Sequence, residues 1–194
     1  LTIEYYPDWA VIHQALVTWV KLATGLGDAR VMWMDSTRKA RPPKPYVGLN
    51  IITAKGSALG VDETRLEYDE ENDVQIRTTI GPRQFTLSIN AYTDSNKPPN
   101  DSDAIMRKIS QSIYTDAAQA LFIETGIAPI DQMDANALGD QLGNRWEDRS
   151  QMDVIFGYVA ESVETTDYVD RAVIGGIIKV DSGDEIDVDL DVET

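Results

Sequence analysis

The 194-residue sequence contains no cysteine and one histidine, His13. The first absence excludes disulfides, thiolate zinc sites and cysteine nucleophiles; the second removes every mechanism that needs two imidazoles. Positive charge is also scarce: 17 Lys and Arg stand against 33 Asp and Glu, a formal net charge of −16 at pH 7. A protein that holds nucleic acid by its phosphates needs a basic surface, and an interfacial helix on anionic lipid needs Lys and Arg along one face. Neither is a bulk property of this chain. No apolar run approaches the roughly 18 residues of a spanning helix, and none has the layout of a signal peptide. The expectation is a soluble protein made and used in cytosol-like solution, with no membrane partner. The chain starts on Leu1 instead of Met, so a start residue or leader is expected to be missing from it.

What is present is ordinary globular material, 42% hydrophobic and 26% charged, of a length that suits one domain of roughly 100 to 200 residues. Trp9, Ile12, Leu16, Trp19, Val20 and Ala23 recur at steps of three and four, the period of one helix face. Asp8 is the expected cap, and Gly25 and Gly27 the stop. Residues 30–35 read as a short strand. A basic loop follows, with Arg38, Lys39, Arg41 and Lys44 among Pro42, Pro43 and Pro45, where polyproline geometry replaces regular structure. Residues 46–53 resume as a strand with Val47, Leu49 and Ile51 on one face, and residues 56–72 read as a polar loop. Two alternating runs, Val74 to Ile80 and Phe85 to Ala91, flank Gly81-Pro82 and predict a hairpin. One helix is expected over residues 103–124, ended by Gly126. Later strands are expected at 127–133, through Met152, Val154, Phe156 and Tyr158, and at 168–180. The end is unusual: Ile186, Val188, Leu190 and Val192 alternate with acids from Glu185 to Glu193. No repeat of 20 to 50 residues is present. These elements predict an α+β fold, a mostly antiparallel sheet with two helices packed on one face.

Catalysis finds little support. The sequence has no phosphate-binding Gly-rich loop, HExxH, GxSxG or EF-hand pattern. The alternative kept open is a small carboxylate-based hydrolase, metal-assisted or not, using acids such as Asp69, Glu70, Asp153 or Glu161. The series Asp187, Asp189, Asp191 has no turn glycine, and its carboxylates on a strand stand about 6 to 7 Å apart, too spread for one Ca²⁺ shell. No cofactor or metal is expected. The tail reads instead as an acidic strand with an unpaired edge, ordered when Ile186, Val188, Leu190 and Val192 are covered, and able to add to a neighbouring subunit. The basic loop has two readings, a solvated connector or a docking arm for an acidic partner such as another copy of the chain. Trp146 between Arg145 and Arg149 is either a strand aromatic with snorkelling cations or an interface anchor. His13 is expected on the solvent side of its helix.

The order of features then becomes familiar. The helix carrying Val17-Thr18-Trp19-Val20, the strand Val31-Met32-Trp33, the passage Arg41-Pro42-Pro43-Lys44-Pro45-Tyr46-Val47 running into a strand, the strand 84–92, the helix at 103–124 and the late strand Arg149-Ser150-Gln151-Met152-Asp153-Val154 together resemble the phage neck or tail terminator proteins, also called head-tail joining or tail-completion proteins. The resemblance covers about residues 5–180 and rests on order and spacing. It implies a tail-terminator-like domain over 1–180, with 181–194 left as an acidic C-terminal strand or tail. It also implies a non-enzymatic virion protein of the neck, assembled in the host cytoplasm, whose copies form a ring, a hexamer. That ring terminates the tail tube, meets tube and sheath on one side and the head connector or adaptor on the other, and lets DNA through its lumen during genome ejection without binding it specifically. Ring closure needs two different patches on each copy. The interface candidates are Arg38, Lys39, Arg41, Lys44 and Tyr46 of the loop, Arg145, Trp146 and Arg149, and Ile186, Val188, Leu190 and Val192 of the tail.

Overall fold

The computed structural model describes residues 2–34, 40–55, 61–72, 74–94, 101–142, 145–167, 171–179 and 185–193. In chain order the elements are β1 (Thr2–Tyr6), α1 (Trp9–Thr24), β2 (Val31–Trp33), β3 (Tyr46–Lys55), β4 (Glu63–Asp69) and β5 (Val74–Thr93), then α2 (Ser102–Ser112) and α3 (Asp116–Glu124). They are followed by β6 (Ile127–Gln132), β7 (Asn136–Ala137), β8 (Asp140–Leu142), β9 (Arg145–Asp167), β10 (Arg171–Lys179) and β11 (Glu185–Glu193). The fold is α+β with a mostly antiparallel sheet. The strand order β1-β9-β5-β3-β2 forms its spine, β4 joins β5, and β6, β7 and β8 join β9. The β2–β3 pair is parallel.

The chain divides into two compact units. One holds Tyr5–Glu63 and Thr79–Ser162; the other holds Leu1–Glu4, Thr64–Thr78 and Val163–Thr194. β5 and β9 are long enough to run from one into the other. In the smaller unit β4 and the first part of β5 make a hairpin whose turn is built by Asp69. Its carboxylate accepts from the backbone of Glu71 at 3.0 Å and Asn72 at 3.3 Å. The same unit contains β10 and β11, paired antiparallel from Arg171↔Glu193 to Lys179↔Glu185.

The core of the larger unit follows from alternation on strands and the 3.6-residue period on helices. Ile12, Leu16, Trp19 and Val20 of α1 are buried with Val47 and Leu49, with Phe85, Leu87, Ile89 and Ala91, and with Met152, Val154 and Phe156. Ile105, Met106 and Ile109 of α2 and Ala118 and Phe122 of α3 complete the cluster. Aromatic rings join the layers: Phe85 stacks on Phe156 at 5.4 Å, Trp19 and Phe122 meet Phe156 edge-on, and Trp9 meets Phe85 edge-on. α1 has the expected limits. Asp8 accepts from Ala10 N–H at 2.8 Å, and Gly25, at φ 72°, donates its backbone N–H to the Lys21 carbonyl.

Four expectations are corrected. The second helix is two helices, so the described residues hold three α-helices. The chain turns after Ile113, and Thr115 caps the new start, accepting from Ala118 N–H while donating to the Ser112 carbonyl. Period alone cannot show such a break, because the apolar stripe continues across it. The expected hairpin at Gly81-Pro82 is instead the middle of β5. The Asp62 carboxylate and the Arg83 guanidinium lie over Gly81, where any Cβ would collide with both; this glycine permits close approach and does not turn the chain. Residues 63–69 are a strand, β4, because β5 supplies its backbone partners. Finally, His13 stacks on Trp33 at 4.2 Å and meets Trp9 edge-on, a half-buried sandwich in place of a solvent-facing residue.

Phe156 touches Phe85, Trp19 and Phe122 at full burial, so Phe156→Ala is expected to lower stability by about 3 to 5 kcal/mol, measured by denaturant unfolding. A loss below 1 kcal/mol would show that these rings are not the central contact.

Candidate functional site

The start of β9 alternates its contacts by residue. Asp148 and Ser150 turn toward α2. Asp148 accepts from Ser102 N–H at 2.8 Å, from Ser102 Oγ at 3.0 Å and from Thr93 Oγ1 at 2.6 Å. Ser150 donates to Asp103, and its Oγ lies 2.8 Å from that of Ser102. A carboxylate at a helix N-terminus is favoured by the exposed amides and the helix dipole. Glu147, Arg149 and Gln151 turn the other way. Arg149 donates twice to Asn90 Oδ1, at 3.2 and 2.8 Å, and Gln151 donates to Ser88 Oγ at 3.1 Å. Ser88 and Asn90 are buried although they face away from the aromatic cluster.

The basic loop covers this second face. Lys44 Nζ lies 2.9 Å from Glu147 Oε1 and 3.3 Å from Asp94 Oδ1, while Arg41 reaches Glu147 Oε2 at 3.8 Å. Glu147 is only 6% exposed. Burial pulls the Lys44 ammonium toward deprotonation, yet its hydrogen bonds to Glu147 and Asp94 and their charges win, holding its pKa above the ordinary lysine value. Tyr46 is fully buried, stacked on Tyr92 at 4.6 Å, and the guanidinium groups of Arg41 and Arg149 lie over the Tyr92 ring at 5.9 and 5.6 Å. Its hydroxyl has no hydrogen-bond partner among the described residues, and burial raises its pKa.

The structure thus sorts the interface candidates. Arg41 remains 58% exposed at its side chain. Lys44 is mostly buried and clamps the base of the loop, and Tyr46 lies beneath it, so neither is an outward docking residue within this chain. Arg149 is half-buried and engaged with Asn90 and Gln151. Arg38 and Lys39 lie outside the described residues. Arg145 and Trp146 sit in β9 opposite Leu142 and Gln141 of β8. Ile186, Val188, Leu190 and Val192 of β11 stand opposite Ile178, Gly176, Ile174 and Ala172 of β10, so the edge expected to be unpaired has a partner strand in its own chain. Among the acids weighed for hydrolysis, Asp69 is held in its turn and Asp153 accepts from Gln151. Among the described residues no three of His, Asp and Glu gather as metal ligands.

A second feature went unread in the sequence. Asp62 and Arg83 form a two-pronged ion pair with both distances 2.7 Å, beside a groove walled by Tyr6, Trp9 and Tyr158 and bordered by Glu161. The hydrogen bonds from Arg83 hold the Asp62 carboxyl below its ordinary range against the opposing effect of burial, and hold Arg83 above its own. Burial raises the Tyr158 phenol. The available signal was the Gly-Pro-Arg run at 81–83, a glycine beside an arginine within an alternating strand.

These features make an aromatic-cored β scaffold whose charged side chains clamp a proline-rich loop over one part of the sheet. A family model described as phage neck terminator protein matches residues 10–183, and the chain belongs to that family. It is a structural component of the phage neck, located in the virion, that associates with other neck and tail proteins. No curated protein matches the sequence significantly.

Removing Glu147 leaves Lys44 with an exposed partner only. Glu147→Ala is expected to destabilise by about 2 to 3 kcal/mol, reduced from the fully buried case because Lys44 retains some solvent; denaturant unfolding measures it. The Asp62–Arg83 pair sets an acid dependence. Because the folded-state pKa of Asp62 is lowered, its stabilisation is complete above the ordinary carboxylate pKa and is lost as pH falls through the folded value. Asp62→Asn should therefore melt below wild type at neutral pH, with the two melting temperatures converging in strong acid. A constant gap would contradict the assignment.

Proposed function

We propose that copies of this chain form a ring, a hexamer, that caps the growing tail tube and joins the finished tail to the head connector or adaptor, with genome DNA passing through the central hole. Family membership over residues 10–183 carries this reading. The charge distribution supports it: a chain at −16 that concentrates Arg38, Lys39 and Arg41 in one loop, with Lys44 anchoring it, offers the opposite-signed patches that a head-to-tail contact uses. Acids facing the hole would repel phosphate and let DNA slide without the retention a basic wall imposes. The protein works by contact and not by turnover, and it assembles in the host cytoplasm. Tube and, in a contractile tail, sheath protein lie on one side of the ring. The outward parts of the basic loop, the segment Arg145, Trp146 and Arg149, and strand β11 are the surfaces assigned to neighbours, with residues 181–194 acting as an acidic arm.

Electron microscopy of the purified protein mixed with tail tubes tests this. Rings at tube ends, and unjoined heads with tubes of irregular length when the gene is removed, are the expected results. Tails of normal length attached to heads in its absence would overturn the assignment.

A further inference from the structure

Two features of the larger unit fit one another chemically yet lie apart on the same strand, one at its middle and the other at its end. At the Arg83 position of β5, Tyr6, Trp9 and Tyr158 wall a groove of about 480 Å³. Its charged lining is Asp62, Arg83 and Glu161. Asp62 and Arg83 neutralise each other through their double hydrogen bond, so Glu161 leaves the groove net negative. Aromatic walls with an uncompensated carboxylate bind a proline-rich segment that carries a cation: the rings pack on proline and attract the cation, and the segment is already extended before it binds. The chain contains such a segment in Arg41-Pro42-Pro43-Lys44-Pro45. Lys44 is clamped on Glu147 and Asp94, whereas Arg41 and Pro43 are exposed.

Tyr46, just after this segment, pairs with Tyr92, nine residues along β5 from Arg83. At about 3.3 Å per residue these points are about 30 Å apart. With Lys44 held at its end of the strand, a copy's own loop does not reach its own groove. We infer that residues 41–43 of one copy dock in the Tyr6, Trp9 and Tyr158 groove of the next copy, with the Arg41 guanidinium facing Glu161. This rests on the ring proposed above and names its head-to-tail contact. Donor and acceptor are different patches, so the contact is heterologous and propagates around a ring until it closes. Arg41 has charge to give, because its own-chain carboxylate is 3.8 Å away and shared with Lys44.

The test uses the full-length chain in four forms: wild type, Arg41→Glu, Glu161→Arg and the double exchange, each checked for native folding by near-UV circular dichroism. Self-association is followed by sedimentation at low salt, with tail tubes added where assembly needs a template. Each single exchange should weaken association about tenfold or more, and the double exchange should restore most of it. Tyr6→Ala, at a half-exposed groove wall, should weaken association without altering charge. Wild-type association in both single variants overturns this contact and leaves the ring standing. A weakened single pair that the double exchange does not rescue, with Tyr6→Ala neutral, also overturns it. Rings that form normally in the variants but fail to join heads place a different neck protein in the groove, against the inference. Absence of wild-type association under every condition removes the ring and this contact together.

Discussion

Phe85 on β5 and Phe156 on β9 stack, and the packing of two helices is keyed to that pair, α1 through Trp9 and Trp19 and α3 through Phe122. Aromatic pairs of this geometry gain somewhat more than their buried area alone provides. They also fix register, since sliding one strand by a residue would exchange its apolar set for its polar set. The register that brings the rings together brings Ser88 and Asn90 beside Gln151 and Arg149 on the reverse side. One packing decision therefore places both the apolar cluster and the polar ladder.

That ladder explains how a chain with so much negative charge keeps a basic loop folded onto itself. Glu147 is buried and meets Lys44, and the neighbouring Asp148 faces the opposite way to receive the start of α2. Two adjacent carboxylates on one strand thus serve two elements, the division that strand alternation requires. The loop is half anchor and half surface: Lys44 and Tyr46 hold it, and Arg41 and Pro43 face solvent. A surface segment held at its base loses less entropy on docking than a free one, the property that the contact proposed above would draw on.

The Asp62–Arg83 pair has a comparable double role. It lies over Gly81 in the middle of β5 and supports one side of the aromatic groove. Without a side chain at position 81 both groups approach the backbone, and the strand continues through a Gly-Pro step that would ordinarily interrupt it.

Much of this was legible from residues alone. The apolar stripe of α1 with Asp8 and Gly25 at its ends, the alternating faces of β3 and β9 and the order of motifs resembling the phage neck terminators all depend on neighbours within a few positions, so composition and periodicity carry them. Only tertiary structure decided the remainder. Whether Gly81-Pro82 turned or ran straight depended on Asp62, some twenty residues away; whether Lys44 was surface or clamp depended on Glu147, a hundred residues later; and the strand character of 63–69 depended on pairing with β5. The break between α2 and α3 turned on Thr115 accepting a local hydrogen bond in place of a continuing helix. Local sequence specifies which faces are apolar and where helices can start, but the partner that neutralises a charge or completes a strand is chosen by packing between distant segments.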